Sequence, residues 1–224
     1  MNPVGTIRGT VYGTLLNFQR EWDVHAPQMV AAPYQAPPRA PVLYVKTANT
    51  LSVDGCVPVP SQVPQVEVGA TICMIFGEIP DNPKTDIAPE TIACWRLMND
   101  LSIPHASYFR PPVKFKCLDG FLGVGAQQVP VTELGDPAGV KLEVRINGQL
   151  AQTVDFAQLR RPAGALVRDV REFMALQSGD ALMLGLDCLP GGGRPLARVG
   201  DVVQISSPTH PALGLLTNTL VEAA

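Results

Sequence analysis

From Gln65 to Gly77 the chain alternates with a period of two. Glu67, Gly69, Thr71, Cys73 and Ile75 fall on one side, and Val66, Val68, Ala70, Ile72, Met74 and Phe76 on the other. Successive side chains of a strand point to opposite faces, so this segment is a β-strand whose wholly apolar face is core. The other face begins polar and ends apolar, as in a strand that runs from a cleft into the interior. Lys141–Thr153 is the second clear signal. Leu142, Val144 and Ile146 alternate with charged residues, and Asn147-Gly148 supplies the two positive-φ residues of a type I′ turn, so a hairpin is expected. Shorter apolar runs predict strands at Thr10–Asn17, Val42–Lys46, Ala181–Leu186 and Val202–Ser206.

Two helices are expected. Pro162 opens one that reaches Leu176, with Leu166, Val167, Val170, Phe173 and Met174 on one face. Asp86 to about Met98 reads as the other, with Pro89 early and Ile92, Trp95 and Leu97 as its apolar contacts, and with Asn99-Asp100 at its end. Residues 1–63 are loop-rich, and Ala26–Pro41 holds five prolines. That segment is either an irregular wrap over the core or a flexible lid over a site. The whole is a β-dominated α+β fold, a wrap over 1–63 followed by a main domain over 64–224.

Composition narrows this further. The 224 residues include 22 Pro and 20 Gly, a load that short strands and turns tolerate and a helical bundle does not. With 46% hydrophobic and only 17% charged residues, core material is ample. The 17 Lys and Arg against 20 Asp and Glu leave a net charge of −3 with no basic block, which disfavours nucleic-acid binding. The longest apolar run, Ile72–Phe76, is far short of a membrane span, and Met1 to Arg8 lacks a signal-peptide layout. Cys56, Cys73, Cys94, Cys117 and Cys188 are scattered and make no C-x-x-C pair, which suits a reducing compartment. A soluble, cytoplasmic protein is expected.

Most chemical motifs are missing. His25, His105 and His210 stand apart without metal-ligand spacing and read as surface histidines. There is no G-x-S-x-G elbow and no P-loop, and Gly191-Gly192-Gly193 reads as a flexible turn. One cluster stands out: Asn99-Asp100, then Arg110, Lys114, Lys116 and Asp119 within about twenty residues. It is either a solvated loop or an anion pocket. In the second reading the cationic groups grip the carboxylates of a small organic acid, and Asp100 serves a metal or a proton.

The same stretch carries a family resemblance. Asn99-Asp100-Leu101-Ser102, Tyr108-Phe109-Arg110-Pro111 and Lys116-Cys117-Leu118-Asp119-Gly120-Phe121 resemble the central signature of the fumarylacetoacetate hydrolase superfamily. The likeness continues through the Asn147-Gly148 hairpin, the 162–176 helix and the Gly179-Asp180 and Gly200-Asp201 turns, from about Leu15 onward. Lys114 to Phe121 and Ala36-Pro37-Pro38 resemble one branch, the N-terminal half of the bacterial bifunctional isomerase/decarboxylases of 4-hydroxyphenylacetate (homoprotocatechuate) degradation.

The resemblance implies a mixed β-sheet roll and an Mg²⁺ or Mn²⁺ ion that chelates a 2-oxo acid and stabilises an enolate. In the family a Glu-x-Glu pair and the Asp of the Asn-Asp motif hold that ion. Here Gly69 and Thr71 occupy the Glu-x-Glu positions and only Asp100 remains, so the expected metal site is degenerate, with a weak ion or none. Glu67 shares the strand face but lies roughly 6–7 Å further out. The family's Asn-Tyr-x-x-His motif appears as Asn17-Phe18-Gln19-Arg20-Glu21, without the histidine.

By resemblance, then, the chain is a subunit of an isomerase/decarboxylase that acts on unsaturated 2-oxo-dicarboxylates or tricarboxylates through a dienolate. Lys116 and Asp100 are the expected catalytic residues, Arg110, Lys114 and Asp119 the substrate-binding ones, and Asp100 the residual metal ligand. The expected assembly is a homodimer, or a heteromer with a metal-bearing paralogue. The alternative is a non-catalytic subunit that stabilises such a paralogue.

Overall fold

The computed structural model describes residues 6–52, 54–79, 91–105 and 112–223. Among these the strands, in chain order, are Val11–Leu15 (β1), Val42–Lys46 (β2), Leu51–Ser52 (β3), Cys56–Val59 (β4), Val66–Glu67 (β5), Ala70–Phe76 (β6) and Ile92–Asp100 (β7). They continue with Leu122–Val124 (β8), Lys141–Ile146 (β9), Gln149–Asp155 (β10), Ala181–Met183 (β11), Leu196–Ala197 (β12), Val202–Ser206 (β13) and Leu215–Glu222 (β14). The α-helices are Gln19–His25 (α1), Val113–Lys116 (α2), Val131–Leu134 (α3) and Ala163–Arg171 (α4).

A seven-stranded sheet runs β2-β1-β11-β6-β7-β8-β3, and a five-stranded sheet runs β10-β9-β13-β14-β4. Both are mixed, with parallel pairs at β1/β11, β3/β8 and β14/β4 and antiparallel pairs elsewhere. A short β5/β12 ribbon completes the fold. The strand expected over Gln65–Gly77 is split, β5 ending at Glu67 and β6 starting at Ala70, but its alternation has the expected consequence. Val66, Val68, Ala70, Ile72, Met74 and Phe76 enter one core with Leu142, Val144, Val203 and Ile205 of the five-stranded sheet. Cys73 and Ile75 point the other way, into a second core with Val11, Leu15, Tyr44 and Met98. The seven-stranded sheet is therefore buried on both faces along its centre. The Lys141–Ile146 and Gln149–Asp155 strands form the predicted hairpin, with Asn147 and Gly148 both at positive φ.

The helix expected from Asp86 to Met98 is corrected. Residues 80–90 lie outside the described set, and from Ile92 the chain is a strand paired with β6 from Phe76↔Ile92 to Ala70↔Asn99. Trp95 and Leu97 enter the first core while Cys94 and Met98 enter the second. Burial on both faces removes the polar alternation that marks a strand, and the apolar residues left behind imitate a helical stripe. Asn99 and Asp100 accordingly close a central strand, not a helix.

The other predicted helix is shorter than expected. α4 stops at Arg171, and Phe173 beyond it is 56% exposed instead of facing the core. The segment before residue 63 is woven into the sheets, with β1, β2 and β3 in the larger and β4 in the smaller. The histidines His25, His105 and His210 are half-buried rather than fully exposed. No helix among the described residues is long and apolar enough to cross a membrane.

Candidate functional site

Asp100 is the last residue of β7 and is 1% exposed. Three side chains converge on it. Lys46 Nζ, at the end of β2, lies 2.9 Å from Oδ1, and Lys116 Nζ, at the end of α2, lies 3.0 Å from Oδ2. The Tyr44 hydroxyl donates a hydrogen bond to the same Oδ2. Tyr44 and Lys46 are two residues apart on one strand, so both project to the face that looks at Asp100.

Lys46 is fixed from several sides. Besides Asp100, its ammonium donates to the carbonyls of Leu101 (3.2 Å), Phe121 (2.8 Å) and Lys116. Four oxygens thus share three N–H donors, which holds a charged lysine in place where water cannot reach it. Lys116 is also buried, and its ammonium lies 4.7 Å from the centroid of the Tyr44 ring, a cation–π contact.

Burial alone would raise the Asp100 pKa, but the Lys116 and Lys46 charges and the Tyr44 hydrogen bond outweigh it and hold the carboxyl far below its usual range. Burial lowers the Lys116 pKa, helped by Arg194 and Lys46 and opposed by Asp100. Burial, then the adjacent Asp100 charge, push the Tyr44 phenol well above its ordinary value. It therefore remains a protonated donor throughout the neutral range.

A second buried pair couples to the first. Glu21, on α1, is 0% exposed; it accepts a hydrogen bond from the Leu16 N–H (2.6 Å) and pairs with Arg194 Nη2 at 2.8 Å. Arg194 also reaches Glu67 Oε2 at 3.5 Å. Desolvation lifts the Glu21 pKa to about 7, against the Arg194 charge, the Leu16 hydrogen bond and the more remote Lys116. Glu21 occupies the position at which the family resemblance leads one to expect a histidine.

The structure thus unites Asp100 and Lys116. Lys114 and Asp119 are exposed, and Asp119 accepts a hydrogen bond from Asn49 Nδ2 at 2.6 Å. Arg110 lies outside the described residues. Sequence reasoning did not assign Lys46, Tyr44, Glu21 and Arg194 to the site. The ending of an apolar β run in lysine was the visible signal for Lys46, and the misplaced acid in the Asn17–Glu21 motif was the signal for Glu21.

These donors do not suit a divalent ion. Asp100 N–H donates to the Gly69 carbonyl at 2.8 Å, so Gly69 lies directly across the ladder, and a Cβ on it would come 2.5 Å from the Asp100 carbonyl oxygen. No side chain fits there as the backbone stands. The Thr71 hydroxyl is turned to the Ile72 carbonyl at 3.2 Å, and both Asp100 oxygens already face cationic or phenolic donors. Among the described residues no three His, Cys, Asp or Glu side chains converge.

The sequence profile of the fumarylacetoacetate hydrolase C-terminal family matches residues 10–221. The chain belongs to that family. It is 33% identical over 207 residues, 92% of its own length and 46% of the relative's, to a 4-hydroxyphenylacetate degradation bifunctional isomerase/decarboxylase of Salmonella dublin. It is 34% identical over 214 residues, again 92% and 46%, to the protein of that name from Escherichia coli. The chain thus spans about half the length of the curated relatives it matches. In fold it matches the crystal structure of a 2-hydroxyhepta-2,4-diene-1,7-dioate isomerase from Mycobacterium marinum, with a TM-score of 0.72 at 21% identity over 98% of this chain and 77% of that one.

Proposed function

We propose that this family member is a subunit of an isomerase/decarboxylase for unsaturated 2-oxo-dicarboxylates or tricarboxylates in aromatic catabolism. The substrates that suit it are 5-oxopent-3-ene-1,2,5-tricarboxylate, for decarboxylation, and 2-hydroxyhepta-2,4-dienedioate, for isomerisation. Loss of CO₂ leaves the electron pair of the broken C–C bond on a dienolate. Isomerisation removes a proton from one carbon and returns it to another through the same dienolate, so one site with a fixed positive charge serves both steps. The observation that carries the reading is the buried Lys116–Asp100 pair at 3.0 Å, in a chain one-third identical to relatives that bear this activity in their names. In this reading Lys116 neutralises the enolate oxygen and Asp100 orients its ammonium. Arg110 and Lys114 take the remote carboxylates, and Asp119 helps to place them. The expected assembly is cytoplasmic, either a homodimer or a heteromer with a metal-bearing paralogue.

A second reading has its own support. Asp100, Lys46 and Lys116 are 1%, 2% and 1% exposed and pair their charges with one another, and Gly69 leaves no room for a carboxylate. Those features favour a non-catalytic subunit that packs on a metal-bearing paralogue and stabilises it. Ultraviolet assay of the tricarboxylate with the purified chain, alone and with the paralogous subunit added, separates the two. Turnover by the chain alone, abolished in Lys116→Ala, establishes the first reading. Turnover only in the mixture and unchanged by Lys116→Ala establishes the second. No turnover in any combination removes the substrate assignment.

A further inference from the structure

The Asp100 carboxylate is ringed by protein donors: Oδ2 accepts from the Lys116 ammonium and the Tyr44 hydroxyl, and Oδ1 faces the Lys46 ammonium at 2.9 Å as an ion pair without hydrogen-bond geometry. Two ammoniums and a phenolic proton face one carboxylate, and Lys46, Lys116 and Tyr44 are all 5% exposed or less. A divalent cation brought to those oxygens would meet two positive charges at contact distance, where little water screens them. The carbonyl oxygens nearby, of Leu101, Lys116 and Phe121, are already taken by the Lys46 ammonium, so the cation would not gain the further oxygen ligands it requires. Lys46 serves the backbone as well as the carboxylate, through three carbonyls. The Tyr44 hydroxyl, like the Lys116 ammonium, is directed at Asp100 Oδ2.

The fold makes deliberate room for that ring. Gly13, opposite Tyr44 in the β1/β2 ladder, lies so close beneath it that a Cβ at position 13 would fall inside the ring. On the far side of Asp100, Gly69 excludes a side chain by its approach to the Asp100 carbonyl. Thr71 shares a face with Asp100 through its partner Met98, and its hydroxyl points away to the Ile72 carbonyl. Two glycines and a tyrosine thus shape a site filled by hydrogen-bond donors.

We propose that the Tyr44 hydroxyl, seated on Asp100 in a slot opened by Gly13, closes that carboxylate to divalent metals. The site is then built on fixed protein donors and needs no ion. This holds whether the chain turns over substrate or only supports a partner.

The full-length chain, stripped with EDTA and titrated with Mn²⁺ while free ion is followed by its paramagnetic resonance signal, tests the proposal directly. The expected result is no saturable uptake in millimolar Mn²⁺ and no shift of the thermal midpoint. Stoichiometric uptake by the wild-type chain that disappears in Asp100→Asn overturns it. A second arm compares Thr71→Glu with the Tyr44→Phe/Thr71→Glu double variant, each checked for folding by circular dichroism. Removing the competing phenol should tighten Mn²⁺ binding about tenfold or more, the equivalent of one hydrogen bond to a charged group. Equal binding by the two variants would show that Tyr44 does not close the site. Should Thr71→Glu fail to fold, the wild-type and Asp100→Asn titrations decide alone.

Discussion

Lys46 and Asp100 meet at 2.9 Å although three strands, β1, β11 and β6, lie between their own strands in the sheet. In a flat sheet four inter-strand steps span about 19 Å. The contact therefore requires the seven-stranded sheet to roll, bringing the β2 edge round to the far end of β7. The same closure carries Cys117 Sγ to the Val45 carbonyl at 3.2 Å and Lys46 to the carbonyls at 116 and 121. The ammonium is a tie across the mouth of the roll. Lys46→Met keeps the stem and removes the charge, leaving Asp100 and three carbonyls short of a donor. Urea unfolding should show a loss of about 3–5 kcal/mol. A loss indistinguishable from that of an exposed lysine would mean the tie is not a structural element.

Gly69 should tolerate no enlargement. Gly69→Ala places a methyl group against backbone at the Asp100 carbonyl, where nothing flexible can yield. The expected cost is about 1–3 kcal/mol, read from the denaturant midpoint at unchanged slope. A neutral or stabilising result would show that β6 and β7 can separate more easily than their ladder suggests.

Gly13 and Tyr44 should behave as a coupled pair. Gly13→Ala alone must displace the phenol ring from Asp100, while in a Tyr44→Ala background the new methyl has space. A double-mutant cycle on thermal stability should give a coupling of about 1–3 kcal/mol, with the second substitution costing less in the presence of the first. Strict additivity would remove the slot from the account.

Glu21 gives a pH signature. Its pKa is raised in the folded chain to about 7, chiefly by desolvation, against the usual carboxylate range when unfolded. The folded state therefore binds the proton more tightly than the unfolded state does. The stability this group contributes is fully present below the unfolded pKa and is lost as pH rises to about 7. Arg194, Lys116 and Asp187 are the charged groups acting on it. Glu21→Gln removes the titration. The wild-type stability minus that of Glu21→Gln, measured by urea unfolding across a pH series, should fall between roughly pH 4 and 7 and then level off. A difference that rises over that interval would reverse the assigned shift.

Where the sequence was legible, one face of an element was wet or a turn was chemically marked. The 141–153 hairpin shows both, with charged residues on alternate positions and Asn147-Gly148 at the corner. β2 and β13 lie where their apolar runs placed them. β7 was misread because it is dry on both faces and rich in Ala, Leu, Met and Arg, residues that favour helices when nothing else intervenes. Its pairing with β6 overrides that preference. The Asp100–Lys116 pair was foreseeable because the two residues stand sixteen positions apart within one recognisable motif.

By itself, the sequence determined most of the alternating strands, the hairpin and the family membership, and the resemblance marked Gly69 and Thr71 as positions where carboxylates are expected. Those are local or positional facts, written in residue order. Only the tertiary structure decided what surrounds Asp100. Lys46 comes from 54 positions upstream, and Glu21 and Arg194 meet across 173 residues. The physical reason is that a carboxylate's charge state and freedom to bind an ion depend on burial and on neighbours within a few ångströms. Rolling the sheet creates those neighbours, and no pattern along the chain records them.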